Sequence, residues 1–240
     1  MHEGSETLTG GGIGVPAAAG PARKQQPGRL VAWGALVGLL AAASYAARLS
    51  GSDPADVVLY LWSTFAGALI QYGIMLVLIL AIAHGFDRRL LAFEMPGRPW
   101  RALGRAIIAL VVIVASAAAL SPFLDAGDEQ GLVPDAWDSS RAVPFLANAL
   151  VVVVVAPFVE ELLYRGLGMS LLLPFVGPLL SIAVTGVAFG LAHGLVLGLP
   201  VLSIFGITLG WLRWKTGSVH PGMVVHGIFN AAALVAAIAF

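Results

Sequence analysis

The chain has 240 residues, of which 59% are hydrophobic and only 11% charged, whereas a soluble domain carries about 25% charged residues. This composition excludes a water-soluble globule of this size, because too little polar surface is available to coat it. The formal net charge is zero and no cysteine is present, which excludes electrostatic recruitment of nucleic acid, disulfides, thiolate metal sites and cysteine nucleophiles.

The beginning of the chain, residues 1–28, is rich in Gly, Ala, Pro and Gln. Such a segment cannot bury enough apolar surface to fold, so it predicts a disordered cytoplasmic tail. Arg23, Lys24 and Arg29 precede an apolar run that begins at Leu30. This run lacks a clear cleavage site with a polar mature segment behind it, so we interpret it as an uncleaved membrane span and not as a signal peptide.

Apolar runs long enough for membrane helices recur along the rest of the chain. A helix needs ~20 residues to cross ~30 Å of hydrocarbon, and it satisfies its own backbone there. We count seven runs, at about 30–49, 57–83, 103–122, 143–173, 178–196, 199–213 and 218–239. The predicted fold is an all-α, polytopic integral membrane protein with about seven transmembrane helices. After the tail, 29–142 would hold three helices and 143–240 four, with a kink or tilt at Pro157.

The charged residues of the connecting segments separate by sign. Cations fall on one side of the predicted bundle, at Arg23, Lys24, Arg29, Arg88, Arg89, Arg98, Arg101, Arg105, Arg213 and Lys215. Carboxylates fall on the other, at Asp53, Asp56, Asp125, Asp128, Glu129, Asp135 and Asp138, with only Arg48 and Arg141 against them. The positive-inside rule then predicts a cytoplasmic amino terminus and an outside carboxyl terminus. One span more or fewer would disturb this segregation, so it favours seven.

Six polar side chains lie inside the predicted spans of the second half. An ionisable group at the centre of a bilayer costs about 2.5–3.5 kcal/mol on insertion scales, so each one requires a reason. The set comprises Glu160, Glu161 and Arg165 in the fourth run, His193 in the fifth, and His226 and Asn230 in the seventh.

These side chains fall at similar depths when the helical rise is counted. Glu160 lies about 14 residues before the turn that joins the fourth and fifth runs, and His193 about 15 residues after it, so both sit roughly 21 Å from that turn. His226 and Asn230 lie roughly 14 and 20 Å from the turn that precedes the seventh run. The sequence therefore predicts one polar layer, a buried polar active site within the membrane.

Spacing within each helix sharpens this prediction. Glu161 and Arg165 are four residues apart and can pair on one face, which leaves Glu160 about 100° away and free to face a cavity. His226 and Asn230 have the same spacing and present two polar groups to one place. Phe189 precedes His193 by one turn and would pack on the same face.

Each polar residue taken singly also has a structural interpretation. Glu161 and Arg165 can be a staple between helices, and a lone membrane histidine is often a hydrogen-bonded core residue. This interpretation is weakest for Glu160, because the spans hold no second cation to neutralise it. His84 and His220, at helix ends, are interpreted as interfacial. The larger aromatic residues are interpreted as interface anchors or core, namely Trp33, Tyr60, Trp62, Tyr72, Trp100, Trp211 and Trp214.

A carboxylate with two imidazoles suits two chemistries. In one, Glu160 is a general base that holds water with His193, while His226 and Asn230 donate to the developing oxyanion and no cofactor is required. In the other, Glu160, His193 and His226 hold Zn²⁺, which activates the water. Asn230 favours the first, since an amide is a good oxyanion donor and an uncommon zinc ligand.

Three segments carry a resemblance to a known family. Residues 160–165 (EELLYR) resemble an EExxxR motif, 189–193 (FGLAH) an FxxxH motif, and 226–230 (HGIFN) an HxxxN motif. In this order, on separate spans, they are similar to the CAAX prenyl protease type 2 and bacteriocin-processing (CPBP, or Abi) family, which includes the lysostaphin-resistance-A-like intramembrane proteases. The resemblance covers about residues 143–236.

The resemblance implies an intramembrane endopeptidase whose core is 143–240. It implies that Glu160 and His193 position the attacking water and that His226 and Asn230 stabilise the oxyanion, with Glu161, Arg165 and Phe189 in support. Family members are commonly named metalloproteases, while the structural argument for the prenyl-protein branch is for a metal-free glutamate mechanism, which we favour. The first three spans carry no recognised motif.

Other functions stay open at this stage. A non-proteolytic membrane immunity or scaffold protein could retain the motifs, and a transporter using Glu160 is disfavoured because no chain of carboxylates crosses the bilayer. The lysine-poor composition suggests a bacterial cell membrane protein. Its expected partners are membrane lipid and a membrane-associated protein or peptide, bacteriocin-like more readily than farnesylated, with no nucleic acid.

Overall fold

A computed structural model describes residues 25–50, 58–124 and 137–239 of the chain. Within these ranges the chain forms helices joined by turns and no strand, so the all-α prediction is confirmed. The predicted disordered tail as far as residue 24, and the predicted acidic segments within 51–57 and 125–136, lie outside the described residues.

Three apolar helices come first. Helix α1 spans Pro27–Leu49, α2 spans Trp62–Ala83 and α3 spans Pro99–Leu124. A proline begins α1 and α3, a position at which its missing amide hydrogen leaves no helical bond unmade. Helix α2 ends at His84, whose left-handed φ of 56° stops the helix.

The fourth helix, α4, covers 142–176 and changes its geometry twice. It is α-helical over Ala142–Leu150 and Ala156–Glu161, and π-helical over Val151–Val155 and Leu162–Gly168. Pro157, where we expected a kink or tilt, lies two residues after the first π-helical stretch, and a proline cannot bond the carbonyl four residues before it. Gly177, with φ 73° and ψ 179°, ends the helix in a conformation open to glycine because it has no Cβ. The candidate acidic pair thus lies between two π-helical turns, which occur frequently at functional sites.

Three further helices follow, and the first is shorter than predicted. Helix α5 covers 178–191, α6 spans Leu199–Thr216 and α7 spans His220–Ala239. The predicted fifth span, 178–196, is wrong at its end: the helix stops at Leu191 and Gly194 adopts a left-handed φ of 67°. Glycine in this conformation is a common helix stop. His193 therefore lies in a turn just beyond the end of the helix.

Four helical elements are long and apolar enough to cross a membrane, namely Pro27–Leu49, Trp62–Ala83, Pro99–Leu124 and the kinked run Ser139–Leu191. These four identify the chain as an integral membrane protein. In the last helix the apolar stretch His220–Ala236 is shorter, and α6 carries Arg213 and Lys215 in its last turn. The prediction of seven spans and that of the orientation of the termini stay predictions.

Helix α4 lies at the centre of the bundle. Every residue from 161 to 170 is buried. The Trp33 indole nitrogen on α1 donates to the Leu163 carbonyl across 3.0 Å. Behind α4, the backbones of α5 and α6 touch, because a Cβ on Gly206 would lie 2.6 Å from the Gly186 carbonyl oxygen. Small residues permit such close approach of membrane helices.

The connection between α2 and α3 also enters the bundle. Leu90, Leu91 and Ala92 are buried, and the Ala92 carbonyl accepts a hydrogen bond from the Val219 amide at 3.0 Å. A Cβ on Gly166 would lie 2.7 Å from the Leu91 carbonyl oxygen. This connection therefore contacts both the second π-helical stretch of α4 and the residue that precedes α7.

Candidate active site

Glu161 and Arg165 form the buried ion pair that their spacing predicts. Arg165 Nη1 donates to Glu161 Oε1 at 2.8 Å, and both side chains are completely buried. Arg165 Nη2 also donates to the Gly206 carbonyl at 2.9 Å, and the guanidinium carbon lies 4.7 Å from the centre of the Phe189 ring. Since the guanidinium has hydrogen-bonding and stacking partners as well as its counter-ion, the arginine can be retained in an apolar interior.

Glu160 points to a different set of partners. The Tyr72 hydroxyl on α2 donates to Glu160 Oε1 at 2.9 Å. The other oxygen, Oε2, lies 3.8 Å from His226 Nε2 on α7, and the Glu160 side chain is 12% exposed. Two adjacent carboxylates of one helix thus have separate surroundings, one paired with arginine and the other facing a phenol and an imidazole.

His226 is oriented by Glu161. Its Nδ1 lies 3.3 Å from Glu161 Oε1, and its ring packs against the Phe205 ring, with centroids 4.9 Å apart. Glu161 Oε1 already accepts a hydrogen bond from Arg165, and we assign the hydrogen of the contact with His226 to Nδ1. In this tautomer His226 presents the lone pair of Nε2 to Glu160.

His193 is not joined to this pair. It is exposed, and its Nδ1 bonds to the Phe189 carbonyl at 2.8 Å. No hydrogen bond or ion pair connects it to Glu160 within the ranges that the structure describes. The placement of His193 at the depth of Glu160 stays a prediction; the helix that was expected to carry it ends at Leu191, two residues earlier. The Phe189 ring contacts both imidazoles, with centroids 4.6 Å from His193 and 5.6 Å from His226.

The turn that carries His193 is held by α1. The Ser44 hydroxyl donates to the Ala192 carbonyl at 2.8 Å, and the Tyr45 hydroxyl to the Leu195 carbonyl at 3.0 Å. Gly194 packs against the backbone of Ser44, where an added Cβ would lie 2.8 Å from the carbonyl carbon. The position of His193 therefore depends on a helix that contains none of the three motifs.

Asn230 contacts the first π-helical stretch of α4. Its Nδ2 donates to the Val152 carbonyl at 2.9 Å, and a Cβ on Gly227, one turn earlier, would lie 2.7 Å from the Val153 carbonyl oxygen. A π-helical turn shifts the pattern of backbone hydrogen bonds, and Asn230 binds one of the carbonyls in that turn. One of its two amide hydrogens is used in this way, and the other is not engaged by a described residue.

The described residues include no group of three or more His, Cys, Asp or Glu side chains placed to hold a metal ion. Glu160 and His226 approach each other, but His193 does not complete the set. A catalytic zinc takes three protein ligands and a water, so the donors as placed do not fit the zinc arrangement considered from the sequence. The expectation that no cofactor is required stays a prediction.

The sequence analysis did not identify two polar residues that contact α4 near the acidic pair, Tyr72 and Arg213. Tyr72 was interpreted as an anchor or core residue, yet it lies in the middle of α2, far from either interface where membrane tyrosines gather; that position is the signal that could have found it. Arg213, assigned to the basic side, is buried, and it donates to the Arg165 carbonyl at 3.1 Å and to the Ser170 hydroxyl at 3.2 Å.

His84 and His220 stand at helix ends, as expected. His84 Nδ1 lies 2.7 Å from the Arg29 guanidinium. His220 begins α7, where its Nδ1 lies 3.0 Å from the Ser218 hydroxyl and its ring centroid lies 4.4 Å from that of Phe93. Neither contacts Glu160 through a described hydrogen bond or ion pair.

Comparison with known proteins identifies one region. Residues 142–232 match the family described as Rce1-like, type II CAAX prenyl endopeptidase Rce1-like. The match includes all three motifs and confirms the resemblance predicted from them. It does not include α1 to α3. No curated protein and no solved structure matches the chain.

Proposed function

We propose that this protein hydrolyses a peptide bond of a membrane-associated protein or peptide within the bilayer, because residues 142–232 match the model of the type II CAAX prenyl endopeptidase family. The family and the apolar helices support a CAAX-type intramembrane endopeptidase. The residue roles and the substrate class are our proposal.

One observation carries the proposal: Glu160 Oε2 lies 3.8 Å from His226 Nε2 in a largely buried position. This distance is too long for a direct hydrogen bond. Two acceptors that share one water, each about 2.8 Å from its oxygen, lie roughly 4 Å apart. The pair is therefore suited to hold one water that donates to both residues, which leaves the lone pairs of the water oxygen free to attack.

The hydrogen bonds on either side of the pair support this arrangement. Tyr72 occupies Glu160 Oε1, so Oε2 is the oxygen left to accept a proton. Glu161 occupies Nδ1 of His226, so Nε2 is the nitrogen left to accept. Each residue thus presents one free acceptor, and both acceptors face the same point.

Hydrolysis then proceeds in two proton transfers. Glu160 takes a proton from the water as the water oxygen bonds to the carbonyl carbon of the substrate. The tetrahedral intermediate forms, Glu160 returns the proton to the amide nitrogen, and the carbon–nitrogen bond breaks to give an amine and a carboxylic acid. A general base of this kind contributes about 10²–10⁴-fold to a rate.

The oxyanion of the intermediate requires a donor. The amide hydrogen of Asn230 that is not bound to Val152 can serve, as the resemblance implies. The resemblance also implies that His226 donates to the oxyanion, which would require a hydrogen on Nε2. We assign His226 to the water instead, because its Nε2 lies near Glu160 Oε2. The water-binding role expected for His193 has no support in the described contacts.

The test is cleavage by the purified full chain in lipid vesicles. The probes are a farnesylated CAAX peptide, the same peptide without the lipid, and a hydrophobic bacteriocin-type leader peptide, with products identified by mass spectrometry. We expect Glu160→Gln to lower cleavage by about 10²-fold or more, with Glu94→Gln, an exposed carboxylate, as the matched control. A Glu160→Gln protein that cleaves as well as the parent would remove Glu160 as the general base, and a parent that cleaves none of the three probes would favour the immunity or scaffold alternative.

A further inference from the structure

A small basic pocket opens between the start of α3 and the end of α6. Its volume is about 260 Å³, and Arg98, Arg105 and Lys215 line it together with Ala102 and Thr216. No carboxylate lines it. Three cations around one concavity create a positive potential that favours an anionic group.

The cations of this pocket are held by contacts that leave donors available. Arg105 Nη1 donates to the Lys215 carbonyl, which uses one of the five N–H groups of a guanidinium. The Lys215 ammonium lies 4.4 Å from the centre of the Trp214 ring. The Arg98 guanidinium has no hydrogen bond or ion pair with a described residue, and Arg98 is exposed. The remaining N–H groups match the oxygens of a phosphate, which arginine binds through two parallel bonds.

The surroundings of the pocket favour a lipid over a free anion. Trp100, 83% exposed, and Trp214, 37% exposed, flank it, and tryptophan gathers where a membrane meets water. From Trp100 an exposed apolar stripe runs along α3 through Leu103, Ile107 and Val111. These residues are spaced three and four apart and so share one face of the helix. An acyl chain that lies on this stripe would bring its headgroup to the pocket.

We propose that the pocket formed by Arg98, Arg105 and Lys215 binds the phosphate headgroup of an anionic phospholipid whose acyl chain lies along α3. Ligand pockets usually measure about 300–1,000 Å³, so a pocket of about 260 Å³ accommodates a headgroup and leaves the tails outside. Basic pockets between membrane helices are known to suit such headgroups. The proposal does not depend on the protease function, since binding is measured without cleavage.

The experiment measures lipid binding by the full chain in a non-ionic detergent, using native mass spectrometry. The probes are dioleoyl phosphatidylglycerol, dioleoyl phosphatidylcholine and inorganic phosphate. We expect one phosphatidylglycerol to bind about tenfold more tightly than phosphatidylcholine, because the quaternary ammonium of phosphatidylcholine is repelled by the three cations of the pocket. Equal affinity for both lipids would overturn the proposal.

Charge-matched variants locate the site. Arg98→Gln/Lys215→Gln should weaken phosphatidylglycerol binding by about tenfold or more, while Arg88→Gln/Arg101→Gln, which removes two charges from residues that do not line the pocket, should bind like the parent. Arg105 is left unchanged because it holds the Lys215 carbonyl. Unchanged melting temperatures show that both variants fold. Equal loss in the two variants would overturn the assignment to this pocket, and inorganic phosphate that displaces the lipid at equal concentration would overturn the assignment to lipid.

Discussion

The Tyr72 hydroxyl donates to Glu160 Oε1 across 2.9 Å and joins α2 to the carboxylate on which the proposed chemistry depends. Tyr72 lies outside the region that matches the endopeptidase family. By occupying one oxygen it leaves the other to face His226. The amino-terminal helices therefore contribute to the candidate site and do not merely enclose it.

Replacing Tyr72 with phenylalanine tests this contribution. Tyr72→Phe keeps the ring and removes the hydroxyl, so Glu160 can rotate and present either oxygen. We expect kcat to fall about tenfold, the effect of one lost hydrogen bond to a charged group, with little change in KM because the hydroxyl does not contact the substrate. Cleavage kinetics in vesicles measure both constants. Tyr60→Phe, in the short helix Val58–Tyr60 before α2, is the control, and equal effects of the two substitutions would contradict a positioning role.

A second prediction concerns the buried pair of Glu161 and Arg165. Glu161→Gln leaves the arginine without its counter-ion at a completely buried position, which destabilises a protein by about 3–5 kcal/mol. Glu161→Leu/Arg165→Met removes both charges and should recover part of that loss, although the Gly206 carbonyl then loses its donor. Unfolding in detergent measures the difference.

Activity separates the two roles of Glu161. The double variant should be inactive, because leucine at position 161 offers His226 Nδ1 no acceptor, whereas the amide oxygen of Glu161→Gln can still accept that hydrogen bond. If the double variant is active, Glu161 does not orient the imidazole. If it is no more stable than Glu161→Gln, the destabilisation does not arise from the unpaired arginine.

The sequence predicted two kinds of contact: those between residues on one face of a helix, and those between residues at similar depth in different helices. Glu161 and Arg165 meet because residues four apart share a helix face, and Glu160 meets His226 because both lie well inside their helices. Their relation to Tyr72 could not be predicted in this way, because no local pattern connects the rotation of α2 to that of α4. Side-chain packing of the whole bundle determines that rotation.

The surroundings of His193 and Asn230 could not be predicted by counting residues along a regular helix. Helix α5 ends at Leu191, so His193 lies in a turn that Ser44 and Tyr45 of α1 hold in place. Asn230 was expected to donate to the oxyanion, and one of its amide hydrogens also binds the Val152 carbonyl in a π-helical turn. A π-helical turn leaves no clear mark in a run of five valines, so neither its position nor the carbonyl that Asn230 binds could be predicted.

A third prediction concerns Gly222 on α7. A Cβ at this position would lie 2.7 Å from Glu161 Oε2, and the completely buried carboxylate has little space in which to retreat. We expect Gly222→Ala to displace Glu161, to lower cleavage by about tenfold or more through His226, and to destabilise the protein by about 1–3 kcal/mol, as overpacking does. Gly73→Ala on α2, where a Cβ meets nothing within 4 Å, is the matched control and should be neutral or slightly stabilising. Equal activity of the two variants would show that Gly222 does not constrain the carboxylate.

The last prediction separates His193 from His226 by their reactivity. His226 is 3% exposed and its ring packs against Phe205, whereas His193 is exposed in the turn after α5. Diethyl pyrocarbonate should therefore modify His193 about tenfold or more faster than His226, because labelling of the latter requires local opening of packed helices. Mass spectrometry of the detergent-solubilised protein measures both rates, and the exposed His84 reports that the reagent is active. Equal rates at His193 and His226 would mean that water and reagent reach Glu160 and His226 freely. That outcome would contradict a buried His226 whose Nε2 binds a single water.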